Sequence, residues 1–199
     1  MKLSTLISVP AIMLSSLAFS QTIEANKTHS VGFQLGGGGA EYKNSTADGE
    51  GVGQGYIYYN YRFMPNYYLE LGLSGGSELD KWTCNEKEDG SWLCKAKDKA
   101  IFNIQADELN YQAVVAAIKG QYPLTKRNSL YGKLGAQFYD YEFKRGSLMV
   151  ADDSGVSLLM EAGWQYCWDS GMGVNTGIQY QTMGDLKLSS LNVGISYSF

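Results

Sequence analysis

The chain of 199 residues is poor in histidine, cysteine, proline and charge: it has 1 His, 3 Cys and 3 Pro, and 18% of its residues are charged. A single imidazole excludes any mechanism that requires two histidines. The net charge of -4 leaves no basic surface for a phosphate backbone, so nucleic acid is excluded as a partner. Glycine and tyrosine, by contrast, are abundant, with 24 and 15 copies. This composition favours β-structure with close backbone contacts in a single domain.

The first twenty residues have the pattern of an export signal. A positive charge at Lys2 precedes an apolar stretch, and small residues stand three positions and one position before Gln21. The apolar stretch is too short and too often interrupted by polar residues to span a membrane as a helix. The sequence therefore predicts a signal peptide over residues 1–20, a short periplasmic segment over residues 21–29 and one domain over residues 30–199.

Most of the later sequence alternates apolar and polar residues at a period of two, which is typical of β-strands. The alternation predicts eight strands, over residues 30–40, 53–63, 67–77, 110–122, 129–141, 156–168, 172–181 and 191–199. Tight turns alternate with polar and mostly longer loops, which are predicted over residues 41–52, 78–108, 144–154 and 182–187. Strands of about ten residues connected in this way predict an all-β fold, an eight-stranded antiparallel transmembrane β-barrel.

Alternation alone does not show which face of the sheet meets water. The polar face carries mostly Gly, Ser, Asn, Gln and Tyr, whereas the surface of a soluble protein usually carries many more charges. Aromatic residues lie near the turns, as in an interfacial girdle: Tyr61, Phe63, Tyr67, Tyr122, Tyr166, Trp168 and Tyr197. We therefore predict that the apolar face contacts lipid. The alternative is a soluble periplasmic lipocalin-like carrier with an apolar interior.

The C-terminal SYSF, the segment FMPNYYLELGLSGG and the eight-strand alternation together resemble the OmpA-like and OmpX-like outer-membrane β-barrel families. The resemblance covers roughly residues 30–199. The resemblance implies that Tyr197 and Phe199 belong to the signal that the barrel-insertion machinery reads. It also implies an integral protein among the outer-membrane lipids of a Gram-negative bacterium, with periplasmic termini and extracellular loops. Because a closed barrel has no free edge that requires a partner, we expect a monomer.

With the apolar face outward, five charged side chains point into the barrel from five consecutive predicted strands: Arg62, Glu70, Lys119, Lys133 and Glu161. Because buried charges need partners, we expect Arg62 and Lys119 to flank Glu70, and Lys133 to pair with Glu161. On one interpretation these pairs only neutralise the polar filling of a narrow barrel. On the other, which the OmpA-like resemblance implies, they gate a water path and the protein is a small passive pore.

The long second loop contains Cys84 and Cys94, each two residues after a tryptophan, Trp82 and Trp92. In an exported chain this pattern favours a disulfide, since zinc would need further Cys or His ligands. The two tryptophans are candidate contacts for an extracellular or host-surface ligand. Cys167 falls on the inward face and is predicted to be a small buried thiol.

The sequence predicts no catalytic site, metal site or cofactor. Barrels that resemble lipid-A deacylases or acyltransferases need a histidine with a serine toward the outer membrane face, whereas His29 precedes the first predicted strand at the opposite, periplasmic end. We therefore expect a non-enzymatic structural or surface-binding protein that acts through extracellular loops, with the gated pore as the competing interpretation.

Overall fold

The computed structural model describes residues 27–43, 45, 50–78, 82–86, 92–96, 102–104 and 106–199. The predicted signal peptide and most of the predicted periplasmic segment lie outside the described residues. The described residues form the strands β1 (His29–Tyr42), β2 (Glu50–Met64), β3 (Tyr67–Glu78), β4 (Trp82–Glu86), β5 (Trp92–Ala96), β6 (Glu108–Pro123), β7 (Asn128–Arg145), β8 (Leu148–Cys167), β9 (Met172–Met183) and β10 (Leu186–Ser198). A short 3-10 helix, η1, spans Phe102–Ile104. No helix in these ranges is both long enough and apolar enough to cross a membrane.

Eight of the strands form a closed antiparallel barrel in the order β1-β10-β9-β8-β7-β6-β3-β2. The barrel closes because β1 pairs on one side with β2 and on the other with β10, so that Val31 faces Tyr59 and Tyr197. This confirms the predicted fold class. We call the two rims of the barrel the termini end and the loop end. The termini end holds the start of β1, the end of β10 and the turns β2–β3, β6–β7 and β8–β9. The loop end holds the other connections between barrel strands.

Two of the connections expected to be longer loops are tight turns instead. The predicted loops 144–154 and 182–187 shrink to the short segments around Gly146 and Gly184, whose φ angles of 59° and 56° suit such turns. Polar residues in these stretches favoured loops, but backbone pairing between strands does not require apolar side chains. The barrel wall therefore rises further at the loop end than the hydrophobic pattern indicates.

The predicted loop 78–108 has secondary structure of its own. Strands β4 and β5 pair with each other in a separate two-stranded sheet, and η1 follows before β6 begins. This connection between β3 and β6 is the one place where described residues form strands outside the barrel.

Candidate functional site: the barrel lumen and its two ends

Apolar side chains cover the outside of the barrel on all eight of its strands. Leu71 on β3 is 61% exposed and Ile178 on β9 is 67% exposed. On β6, Val114 and Ile118 are exposed while Lys119 is buried, which confirms the predicted inward position of Lys119. An apolar surface this extensive is typical of a protein that sits in lipid.

The aromatic residues that predict a girdle lie near the termini end. Those with exposed side chains are Tyr61, Phe63, Tyr67, Tyr122, Trp168 and Tyr197. Tyr166 packs edge-on against Trp168, with ring centroids 4.9 Å apart. The C-terminal Phe199 stacks on Tyr197 and on His29. Such a band suits the interface between lipid and water, and the role of Tyr197 and Phe199 in barrel insertion stays a prediction.

Three buried charged residues form an ion-pair layer across the lumen. The Lys133 ammonium lies 2.7 Å from a Glu70 oxygen and 2.8 Å from a Glu161 oxygen, and no side chain of the three is more than 1% exposed. Tyr56 donates a hydrogen bond to Glu70 at 2.6 Å, and Tyr131 donates one to Glu161 at 2.5 Å. The expected contact between Lys133 and Glu161 is therefore present, and one ammonium serves two carboxylates.

Glu70 has a different cationic partner from the one expected from strand neighbours. The sequence predicts Arg62 and Lys119 beside it, whereas Lys133 reaches it from β7, across the intervening strand β6. The β6 residue opposite Glu70 is Ala117. Its short side chain leaves room for a long lysine to pass, so the ion pair joins strands that are not adjacent in the sheet.

Lys119 lies closer to the termini end and has other partners. It stands opposite Lys133 in the ladder between β6 and β7, but its Nζ donates to Gln165 Oε1 at 2.8 Å. The ammonium also lies 4.5 Å from the ring centre of Tyr131, a cation–π contact. Arg62 is half-buried on β2 near the termini end, and Cys167 is a half-buried thiol whose Sγ accepts from Gln165 at 3.1 Å.

An amide network fills the lumen next to the ion-pair layer. The Gln54 Nε2 lies within hydrogen-bonding distance of three buried oxygens, on Gln179 (2.6 Å), Ser190 (2.7 Å) and Asn192 (2.8 Å). The Gln54 Oε1 accepts from the Tyr111 hydroxyl at 2.6 Å and from Gln181 Nε2 at 3.0 Å. Sequence analysis missed this network because alternation predicts which side chains point inward but not which of them meet.

At the loop end the filling of the lumen becomes apolar. Phe143 and Leu109 are 0% and 1% exposed, and Phe102 of η1 packs edge-on against Phe143 with ring centroids 5.6 Å apart. The other members of this apolar plug are Tyr42, Val52, Ala106, Tyr111, Ala113, Tyr139, Tyr141, Met183, Leu186 and Leu188. Most of these residues lie in or beside predicted loops, so the sequence analysis did not place them in the lumen. The signal for them is on β7, where every second residue continues to point inward as far as Phe143.

The two-stranded sheet brings the predicted disulfide partners together. Cys84 stands directly opposite Cys94 in the register between β4 and β5. Opposite residues of an antiparallel pair have Cα atoms about 4.5–5.5 Å apart, a separation that a disulfide spans. The positions of Trp82 and Trp92 lie at the ends of the same paired segment, opposite Ala96 and Glu86 respectively. The disulfide itself stays a prediction.

Two tight turns at the termini end are joined by a surface ion pair. The Arg127 guanidinium binds the Asp169 carboxylate through two nitrogens, with Nε 3.3 Å from Oδ1. Hydrogen bonds from Arg127 hold the pKa of Asp169 below its usual range. Both side chains are exposed, so the pair adds little to stability.

The apolar exterior, the polar and charged lumen and the closed antiparallel sheet agree with a known family. The sequence pattern described as "Outer membrane protein beta-barrel domain" matches residues 8–199. The chain belongs to this outer membrane β-barrel family. Membership indicates an integral protein of the Gram-negative outer membrane.

Solved structures share the fold at low sequence identity. Neisserial surface protein A has 10% identity and a TM-score of 0.63, covering 86% of this chain and 97% of that one. The attachment invasion locus protein Ail of Yersinia pestis has 16% identity and a TM-score of 0.56, covering 87% of this chain and 99% of that one. Ail was also solved with the heparin analogue sucrose octasulfate, at 17% identity, a TM-score of 0.55 and coverage of 87% and 99%. No match to the sequence was found among curated proteins.

The lumen of this outer membrane β-barrel does not fit a lipocalin-like carrier. Such a carrier needs an apolar cavity and a polar exterior, whereas here the middle of the lumen is polar and the exterior is apolar. The histidine, His29, lies at the termini end, where its Nδ1 is 2.5 Å from the Tyr59 hydroxyl. It is therefore far from the loop end of the barrel.

Proposed function

We propose that the protein is a non-enzymatic surface-binding barrel, with its loop end outside the cell and its termini in the periplasm. The observation that carries this proposal is that the β7–β8 hairpin extends past the lipid-facing band of the barrel. Its outward apolar band ends at Phe138 and Val156, but β7 continues to Arg145. This continuation is roughly 23 Å of extended chain at about 3.3 Å per residue. The paired strands of the hairpin therefore protrude beyond the lipid-facing band.

The protruding part of the hairpin has a charged stem and an apolar tip. The charged residues of the stem are Asp140, Glu142, Lys144, Arg145, Asp152 and Asp153, of which acidic residues are the majority. At the tip, Leu148 is 71% exposed, Met149 58% and Val150 40%. Adjacent exposed apolar residues beyond the lipid-facing band are typical of a protein contact site.

The charge of the stem favours a basic partner. Ail has been solved with sucrose octasulfate, a polyanion, which an acidic stem would repel. Lys144 is moreover paired with Glu142 at 2.5 Å, and outside this pair the stem has three acidic residues and one basic residue. We therefore expect a positively charged protein surface with an apolar patch, rather than a heparin-like chain.

The β4–β5 hairpin is a second part of the proposed binding surface. A disulfide between Cys84 and Cys94 would close a short loop and stabilise the hairpin by about 2–3 kcal/mol in the chain-entropy model. Trp82 and Trp92 are then candidate contact residues at the ends of a covalently fixed pair of strands, since tryptophan is enriched among residues that dominate binding energy.

Adherence of cells that display the protein tests this function. Cells carrying the wild type should adhere to cultured epithelial monolayers. Soluble polylysine should compete because it occupies the acidic stem, whereas incubating the displaying cells with heparin and then washing it away should leave adherence unchanged. Replacing Leu148, Met149 and Val150 together with serine should reduce adherence by at least about tenfold, equivalent to 1.4 kcal/mol. The matched control is Leu124→Ser, at an exposed leucine of the opposite end, which should adhere as the wild type does. Equal adherence of the tip variant, at equal display, would refute the proposal.

A gated pore is the second candidate function. It is favoured by the contact of Lys133 with both Glu70 and Glu161, because an ammonium shared by two carboxylates can shift between them. The apolar plug argues against it, since it offers few polar groups to a continuous water path. In planar bilayers we expect neither the wild type nor Glu161→Gln to conduct, because the plug remains in both. Steady conductance by either protein would favour the pore.

A further inference from the structure

The termini end of the lumen holds a small polar cavity, the termini-end cavity, whose lining includes Ser30, Asn60, Lys119, Gln165 and Ser196. The space that the centre of a water molecule can occupy in it is about 20 Å³. A polar cavity can hold a water once this space reaches about 10–15 Å³. The termini-end cavity therefore has room for about one water and for no larger ligand.

Lys119 has hydrogen-bond donors that its described contacts do not use. An ammonium has three N–H donors, and one of them is directed to Gln165 Oε1 at 2.8 Å. The Tyr131 ring faces the group, with its centre 4.5 Å from Nζ. Among the described residues no carboxylate forms an ion pair with Lys119, because Lys133 holds both glutamates of the ion-pair layer. The side chain is 5% exposed, so it needs hydrogen bonds in place of the hydration that it loses on burial.

Asn60 has the opposite requirement. It is 2% exposed and lines the same cavity, and its Oδ1 accepts no hydrogen bond from the described part of the chain. Buried polar atoms are normally satisfied, so this oxygen requires a donor. The observation is independent of that on Lys119, since Asn60 lies on β2 and Lys119 on β6, with β3 between them in the sheet.

A water molecule meets both requirements at once. It can accept a hydrogen bond from an ammonium and donate one to an amide oxygen, and a bridging water is nearly as favourable as a direct hydrogen bond. Lys119 does not itself donate to Asn60 Oδ1, so the two groups need a molecule between them. Buried waters typically make about three hydrogen bonds, and the hydroxyls of Ser30 and Ser196 in the lining offer further partners.

We propose that the termini-end cavity binds one ordered water molecule, which accepts a hydrogen bond from Lys119 and donates one to Asn60 Oδ1. The water replaces part of the hydration of the ammonium, so that Lys119 stays charged without a carboxylate beside it. Because the apolar plug fills the opposite end of the lumen, this hydration site is reached from the termini end of the barrel.

A crystal structure of the full chain in detergent, at a resolution that shows ordered waters, tests the site with water itself as the probe. The wild type should show one water within about 3.2 Å, the limit of an ordinary hydrogen bond, of both Lys119 Nζ and Asn60 Oδ1. Lys119→Met should lose this water because its donor is gone, whereas Lys43→Met at the exposed loop end should keep it. A direct contact between Nζ and Oδ1, or no water bridging them in the wild type, would overturn the proposal.

A double-mutant cycle, measured by urea unfolding in lipid vesicles, tests the same bridge in solution. Asn60→Leu should lower the folding equilibrium constant about fivefold in the wild type, as for the net loss of one hydrogen bond. In Lys119→Met it should lower it less than about twofold, because the bridge is already broken. Asn192→Leu is the matched control: Asn192 is equally buried and bonds Gln54 and Gln179 instead, so its effect should be the same in both backgrounds.

Equal effects of Asn60→Leu in the two backgrounds would overturn the proposal. Heat-dependent gel migration verifies that each variant is folded. If a variant of the cycle does not fold, the crystal structure of the wild type decides alone, since it requires no substitution.

Discussion

Replacing Lys133 with methionine removes the ammonium that joins Glu70 to Glu161 and leaves both carboxylates in the lumen. In the wild type the ammonium lies 2.7 Å and 2.8 Å from their oxygens. At an effective dielectric constant of 20, each contact corresponds to about 6 kcal/mol of Coulomb attraction. Most of this attraction offsets the desolvation of the three groups. Methionine has a similar length, so the variant tests the charge rather than the volume.

We expect Lys133→Met to lower the free energy of unfolding by about 3–5 kcal/mol, the range for removing one partner of a buried ion pair. The assay is urea unfolding in lipid vesicles at pH 8, followed by tryptophan fluorescence. Lys126→Met, on an exposed turn at the termini end, is the matched control and should change stability by less than about 0.5 kcal/mol.

A triple variant separates buried charge from general damage to the lumen. Lys133→Met combined with Glu70→Gln and Glu161→Gln has no uncompensated carboxylate, and the amides can still accept hydrogen bonds from Tyr56 and Tyr131. It should recover more than half of the lost stability. The reasoning is refuted if the single variant lies within about 1 kcal/mol of the wild type, or if the triple variant is no more stable than the single one.

Three further predictions concern the wall, the turns and the loop cysteines. Gly163→Ala should impair barrel assembly because its Cβ would overlap the backbone oxygen of Thr176, whereas Gly132→Ala, with open space around it, should assemble normally in a heat-modifiability gel. Arg127→Gln should raise the pKa of Asp169 toward its ordinary value, seen by NMR titration; the pair is present above the usual carboxyl range and is lost as pH falls through the lowered pKa. Alkylation of the unreduced protein should label one cysteine, and labelling of all 3 without reduction would contradict the disulfide.

The alternation of side chains was sufficient to predict the barrel because lipid imposes one rule on every strand. A lysine in lipid is costly, so Lys119 set the phase of β6 even though its neighbours are apolar on both faces. The inward position of Lys133 and Glu161 followed in the same way. These predictions depend only on the period of a strand, which is a local property of the chain.

Contacts across the lumen could not be predicted because they depend on strand stagger and on the size of intervening residues. Lys133 reaches Glu70 past Ala117, over a strand that separates them. The Gln54 network joins strands far apart in sequence. Neither the height of a residue along the barrel axis nor its neighbour across the lumen is encoded in a period of two.

The sequence by itself determined the antiparallel all-β architecture, the lipid-facing surface and which charges turn inward, since each follows from local periodicity and the cost of polar groups in lipid. Only the tertiary structure decided how the lumen is filled: an ammonium shared by two carboxylates, an amide network, and a plug completed by Phe102 from a connecting segment. Closing the sheet brings distant strands within a side chain's length of each other. That closure determines which inward residues become partners.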